Sequence, residues 1–243
     1  MAVLRGGALC LLVSTALGCG SEIPDPTLPL LEKHVGFPAP PVDTSNAVVM
    51  KPAAARVLFT ALRQEIGAPI HFHTHDTSGF SAATVLAAVE AGVDAVDAAM
   101  DALSGLTSQP CLGSLVAALA QTERATGLDL ETIRRISLYW EAVRLQYGAF
   151  ESDLRSGASE VYLHEMPGGQ FTNLKEQARA LGLESRWHEV ARAYSEADRL
   201  FGDIVKVTPS SKVVGDMALM MVTQDLTAEA VADQARDIAF PDS

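Results

Sequence analysis

The chain has 243 residues, 48% of them hydrophobic, and a formal net charge of −12. That length and apolar content allow one large domain or one and a half small ones around a buried core, while the negative balance argues against nucleic acid or an anionic membrane surface as a partner. Cys10, Cys19 and Cys111 are odd in number and far apart, so no disulfide framework or zinc-finger spacing is present, and they point only weakly to a reduced compartment.

Residues 1–22 have the outline of a secretory leader: Arg5, an apolar run over 8–13, then small residues up to Cys19. Ala16-Leu17-Gly18-Cys19 loosely resembles a bacterial lipoprotein box; the competing reading is an accidental leader from a misplaced start codon. The run is too short to span a bilayer, so no transmembrane span is expected. Residues 23–46 carry Pro24, Pro26, Pro29, Pro38, Pro40 and Pro41, which suits an extended linker and neither a helix nor a central strand. From Lys51 the texture changes. Pro52 opens a helix over 53–66 that Gly67 ends, and a strand is predicted over 68–75. A second alanine-rich helix over 81–91 ends at Gly92, and a second strand follows over 93–98. This is the βα alternation of a parallel sheet or barrel, whose sites lie at the carboxyl ends of the strands.

After Pro110 the strands stop. Helices are predicted over 112–122, 130–150, 174–181, 186–201, 209–222 and 228–235, an all-α second half. Trp140, Val143 and Tyr147 recur at helical spacing, as do Trp187, Val190 and Tyr194; both sets are expected to be core stripes. Neither an internal repeat nor a coiled coil is visible.

The run His71-Phe72-His73-Thr74-His75-Asp76 holds three of the six histidines. In a strand their imidazoles share one face, and two neighbouring imidazoles at a strand end can grip a divalent transition metal. The competing reading is a pair of satisfied core histidines. Asp76 and Asp97 follow strands and suit either a second shell around a histidine or a loop cap. Thr208 before Pro209 suits a helix cap, and a hydroxyl there also sits in the positive potential of the helix end. Lys212 reads by itself as a solvated helix lysine, and Gly168-Gly169 as a turn rather than an anion cradle.

Taken in order, four blocks make the chain resemble the later part of the carboxyltransferase domain of the pyruvate carboxylases. They are residues 71–79, 104–110 (Ser-Gly-Leu-Thr-Ser-Gln-Pro), 164–170 (His-Glu-Met-Pro-Gly-Gly-Gln) and 201–219, the last built around Gly202-Asp203-Ile204-Val205-Lys206-Val207-Thr208-Pro209-Ser210-Ser211-Lys212. The resemblance runs from about Ala47 to the end. It implies an α/β plus all-α chain: residues 47–110 as the last βα units of a TIM (β/α)8 barrel, and 111–243 as a helical carboxyltransferase domain. It implies biotin-dependent carboxyl transfer to pyruvate, giving oxaloacetate, in a cytoplasmic ligase of pyruvate metabolism and gluconeogenesis. His73 and His75 would be ligands of a divalent metal, Mn or Zn. Thr208 would relay a proton between the pyruvate methyl group and biotin, and Ser211 and Lys212 would contact the biotin ring. The biotin would arrive on a carrier domain outside this chain, and the remaining pyruvate carboxylase domains would be further partners.

The chain departs from that pattern in places. A full barrel has eight strands, and about two precede the helical half. The family's early strands supply a further metal carboxylate and a substrate-binding arginine. Its carbamylated lysine, in a Lys-Asp-Met-Ala-Gly block, aligns with Thr44, followed by Ser45-Asn46. The expectation is a chain inactive alone, with an unstable barrel part and a helical part that folds. The alternative from another class is a non-catalytic helical binding or assembly module, exported as a lipoprotein.

Overall fold

The computed structural model describes residues 10–13, 50–206, 209–233 and 237–240. The proline-rich linker, most of the leader and Thr208 lie outside the described residues.

Strand β1 (Cys10–Val13) falls in the apolar run assigned above to a leader, and it pairs in parallel with β3 (Ala95–Ala98). Helix α1 (Pro52–Glu65) starts where Pro52 supplies a preset φ and lacks only an N–H that would be unpaired anyway. It buries Ala55 and Phe59, one turn apart. Strand β2 (His71–Phe72) pairs in parallel with β3 through His71↔Ala95 and Phe72↔Val96. Helix α2 (Ser81–Glu90) ends before Gly92, which adopts φ +100°. The sheet order is β1-β3-β2, so the crossover helix α2 links two parallel neighbours. Arg63 ties the lower end together: its Nε donates to Gly92 O at 3.0 Å and its guanidinium pairs with Asp94.

The predicted strand over 68–75 shortens to two residues for an identifiable reason. Past Phe72 the chain leaves the ladder; Asp76 N donates to Ser108 O at 2.7 Å and the His75 carbonyl accepts from Ser81 Oγ at 2.5 Å. The inside–outside alternation nevertheless persists, with Phe72 and Thr74 buried and His71 and His73 exposed.

A 3₁₀ turn (Asp101–Leu103), α3 (Leu112–Leu119) and α4 (Leu130–Gln146) close the first unit; Asp129 caps α4 by accepting from Thr132 N. The helix predicted over 130–150 breaks before Gly148, and a 3₁₀ turn (Gly148–Phe150) follows. The second unit comprises α5 (Val161–His164), α6 (Gly168–Ala180), a 3₁₀ turn (Glu184–Arg186), α7 (Trp187–Leu200), α8 (Ser210–Thr223) and α9 (Ala228–Ala232). Helix α6 begins six residues before the predicted start at 174, because Gly168-Gly169 is its first turn and not a connecting turn.

Two hydrophobic cores result. One gathers Phe59, Phe72, Val85, Val96, Leu115 and Ile133 around the sheet; the other gathers Met166, Leu174, Val190, Tyr194, Val214 and Met221 among α6, α7 and α8. Trp187, Val190 and Tyr194 belong to the second core, as their spacing predicts. The other stripe corrects the expectation. Trp140 packs on the first core, but Tyr147 is 58% exposed, and all three residues line an open cleft of about 450 Å³ with Leu103, Leu106 and Phe150. The helix turns that stripe past the edge of its core, so only its upper end is covered.

Candidate metal centre

His73 and His75 follow β2, and their rings meet edge to face, with Nε2 atoms 3.3 Å apart. Each other ring nitrogen is anchored. Nδ1 of His73 lies 2.5 Å from Asp97 Oδ2, and Nδ1 of His75 lies 2.6 Å from the Thr107 carbonyl. Carboxylate and carbonyl oxygens only accept, so each Nδ1 carries the proton and each Nε2 presents a lone pair. With both rings neutral, two lone pairs face each other. The separation fits a cation between them: two nitrogens 2.0–2.1 Å from a tetrahedral ion lie about 3.3–3.4 Å apart. No third His, Cys, Asp or Glu joins the pair to form a metal-binding group among the described residues. The residues present therefore supply two donors of a shell.

Electrostatics act on His75 and on the Asp97 that holds its neighbour. Burial pushes the His75 imidazole below its usual range; the Thr107 carbonyl opposes that, and His73 nearby adds to it. Burial would raise the Asp97 carboxyl, but hydrogen bonds from His71 and His73 outweigh it and hold the group at about 2. Asp97 accepts from both rings, with His71 Nε2 2.8 Å from Oδ1. Of the two aspartates with a double reading, Asp97 thus orients imidazoles from within β3. Asp76 is the cap: its Oδ1 accepts from Ser81 N, the first amide of α2, at 2.9 Å.

Ser211 and Lys212 stand side by side in the first turn of α8 but face apart. Ser211 is buried, whereas Lys212 is exposed and pairs with Asp216 at 2.6 Å, one turn on. Neither hydrogen-bonds to the histidine pair. The helix begins at Ser210 with Pro209 as its N-cap, one residue later than the Thr208-Pro209 step predicts, and Thr208 itself lies outside the described residues.

Two contributors carry no side-chain signal in the sequence. The Thr107 anchor is a backbone carbonyl, invisible to residue type. Gly168 touches His75: a Cβ built on it would lie 2.8 Å from His75 Cγ.

Two family models divide the chain between them. One described as HMGL-like matches residues 42–139, and one described as a conserved carboxylase domain matches 161–243. Pyruvate carboxylase 1 of Caenorhabditis elegans is 52% identical over 200 residues, covering 81% of this chain and 17% of that protein. The Bacillus subtilis pyruvate carboxylase is 48% identical over 197 residues, with the same coverage. The carboxyl transferase domain of Rhizobium etli pyruvate carboxylase, solved alone and with pyruvate and biocytin, is 75% identical with a TM-score of 0.79, covering 81% of this chain and 33% of that one. The chain thus spans about a sixth of the curated relatives it matches and a third of the solved domain. Its sheet and first helices are a partial TIM-type barrel, with the helical carboxylase unit after it. With both units matched in the same order, the chain belongs to the pyruvate carboxylase family and corresponds to the later part of its carboxyltransferase domain.

Proposed function

We propose that this chain supplies the histidine side of a carboxyltransferase site, where a carboxyl group passes from carboxybiotin to pyruvate to give oxaloacetate. The observation that carries the reading is the pair of facing Nε2 atoms with both Nδ1 positions anchored. His73 and His75 would hold a divalent metal, Mn or Zn, which when bound supplies a Lewis acid. The chain's own residues prepare that site. Asp97 and the Thr107 carbonyl fix the two rings and their tautomers, an arrangement that strengthens imidazole as a ligand. Desolvation disfavours the charged form of His75, the form that cannot act as a ligand.

Thr208 takes the proton relay between the pyruvate methyl group and biotin, with Ser211 and Lys212 on the biotin ring. The match of residues 202–212 to the family supports this, as does the start of α8 at Ser210. Both reactants are weak acids near neutrality, so placement must supply much of the rate. The biotin carrier domain and the remaining carboxylase domains are the partners, and the cytoplasm is the location. No described helix is long and apolar enough to cross a membrane. With two metal donors among the described residues, the chain alone is inactive.

Titration of the purified chain with Co²⁺ tests the metal assignment. Visible absorption bands should appear for the wild type and vanish in His73→Ala and His75→Ala; a featureless wild-type spectrum overturns it. Pyruvate and carboxybiotin should give no oxaloacetate with the chain alone, and metal-dependent turnover would overturn the inactivity.

A further inference from the structure

We infer that the first turn of α6 is a buttress that sets the position of His75, making Gly168 and Thr172 positioning residues of the histidine pair. A Cβ on Gly168 would lie 2.8 Å from both Cγ and Nδ1 of His75 and 2.9 Å from its Cβ, closer than real side-chain carbons approach. Its φ is not positive, so space and not backbone conformation demands glycine here. The next residue is an internal control: Gly169 has nothing within 4 Å of its Cβ position.

The contact belongs to a closed ring. Gly168 O accepts from Thr172 Oγ1 at 3.1 Å, and Thr172 Oγ1 lies 3.3 Å from Thr107 Oγ1. The Thr107 carbonyl returns to His75 Nδ1 at 2.6 Å. The imidazole is thus gripped by a carbonyl at its edge and by the α6 backbone against its ring. The buttress is itself fixed to the second core. Met166 is fully buried there, and its N–H donates to His164 Nδ1 at 3.0 Å. Glu165, at φ +57°, lies 3.4 Å from buried Lys206 Nζ. The helical unit therefore decides where one imidazole of the barrel unit points.

The metal readout rests on the function proposed above; the ring-position readout does not. The full chain carrying Gly168→Ala, Gly169→Ala or Thr172→Val would be compared with wild type by Co²⁺ affinity and by the NMR shifts of the His75 ring. Gly168→Ala should weaken Co²⁺ on the order of 10- to 100-fold, the range for residues that orient a metal ligand. It should also move the His75 resonances, while Gly169→Ala leaves both unchanged. Gly168→Ala with wild-type affinity and unmoved His75 resonances overturns the inference. Should Gly168→Ala fail to fold, Thr172→Val decides: a shifted His75 ring supports the buttress, and an unshifted one overturns it. A wild type that binds no Co²⁺ defeats the metal assignment, and the His75 resonances then decide the buttress alone.

Discussion

Among the residues whose burial is described, each unit gathers 17 hydrophobic side chains in its core, yet the two solve different problems. The helical unit satisfies its backbone within α6, α7 and α8, so the edges of its core need only apolar cover. The βα unit depends on a parallel sheet of three strands whose outer members, β1 and β2, are four and two residues long. Parallel sheets belong inside a closed barrel or between helix layers. Equal burial therefore does not mean equal autonomy, and the chain conveniently places one tryptophan in each unit: Trp140 reports on the first core and Trp187 on the second. Denaturant should release Trp140 first and Trp187 later. A single coincident transition would show that the two cores fold as one.

Four changes sharpen that contrast, in falling order of effect. Lys206, its side chain 1% exposed, lies 2.5 Å from Asp198 Oδ2 and reaches Glu165. Lys206→Met strands the buried Asp198 carboxylate and should cost the Trp187 transition roughly 3–5 kcal/mol; urea curves within error of wild type would refute this. Leu115→Ala empties a fully buried site of the first core and should lower the Trp140 transition by about 2–5 kcal/mol, leaving that of Trp187 in place.

The third change is pH. Burial holds His164 at about 4, below the ~6.5 of a free imidazole. The unfolded chain therefore takes up this proton first as pH falls. The contribution is complete above about pH 6.5, and roughly 3 kcal/mol of it is lost on acidification to about pH 4. His164→Asn, whose amide oxygen can still accept from Met166 N, should flatten that part of the Trp187 stability–pH curve; an unchanged slope would count against it. The smallest effect belongs to Arg56→Ala. It breaks an exposed pair with Glu90 at 3.1 Å and should change melting of the first unit by well under 1 kcal/mol.

The sequence was legible where one periodicity acts alone. Pro52, Gly92 and Pro209 marked real helix boundaries, because each restricts or frees the backbone regardless of its surroundings. Val190 and Tyr194 were correctly read as core from spacing. Legibility failed where a distant segment decides. The strand at His71 stops at Phe72 because Ser108 and Ser81 capture the following backbone. The start of α6 looked like a turn because Gly-Gly is a poor helix former, and the reason for Gly168 lies 93 positions earlier in His75. Tyr147 looked like core because spacing reports a face and not what lies opposite it. In the histidine run, the alternation was readable, with Phe72 and Thr74 turned inward, whereas singling out His73 and His75 rested on the family resemblance. Asp97 could be narrowed only to two roles, and Thr107 acts through a group every residue has.

That last point bears on how the site tolerates mutation. Because His75 is held by a main-chain oxygen, exchanging the side chain at position 107 cannot remove the anchor. What can remove it is a change in the course of the loop. Gly105 at φ +83° and Leu106 at φ +53° set that course, and two hydrogen bonds of 2.9 Å, Gly105 N to Gln109 O and Ser108 N to Gly105 O, close it. Mutational fragility is thus moved off the anchoring residue and onto its neighbours. A beta-branched side chain at 105 or 106, which resists positive φ, would move the carbonyl that anchors His75, which a change of the Thr107 side chain by itself leaves in place.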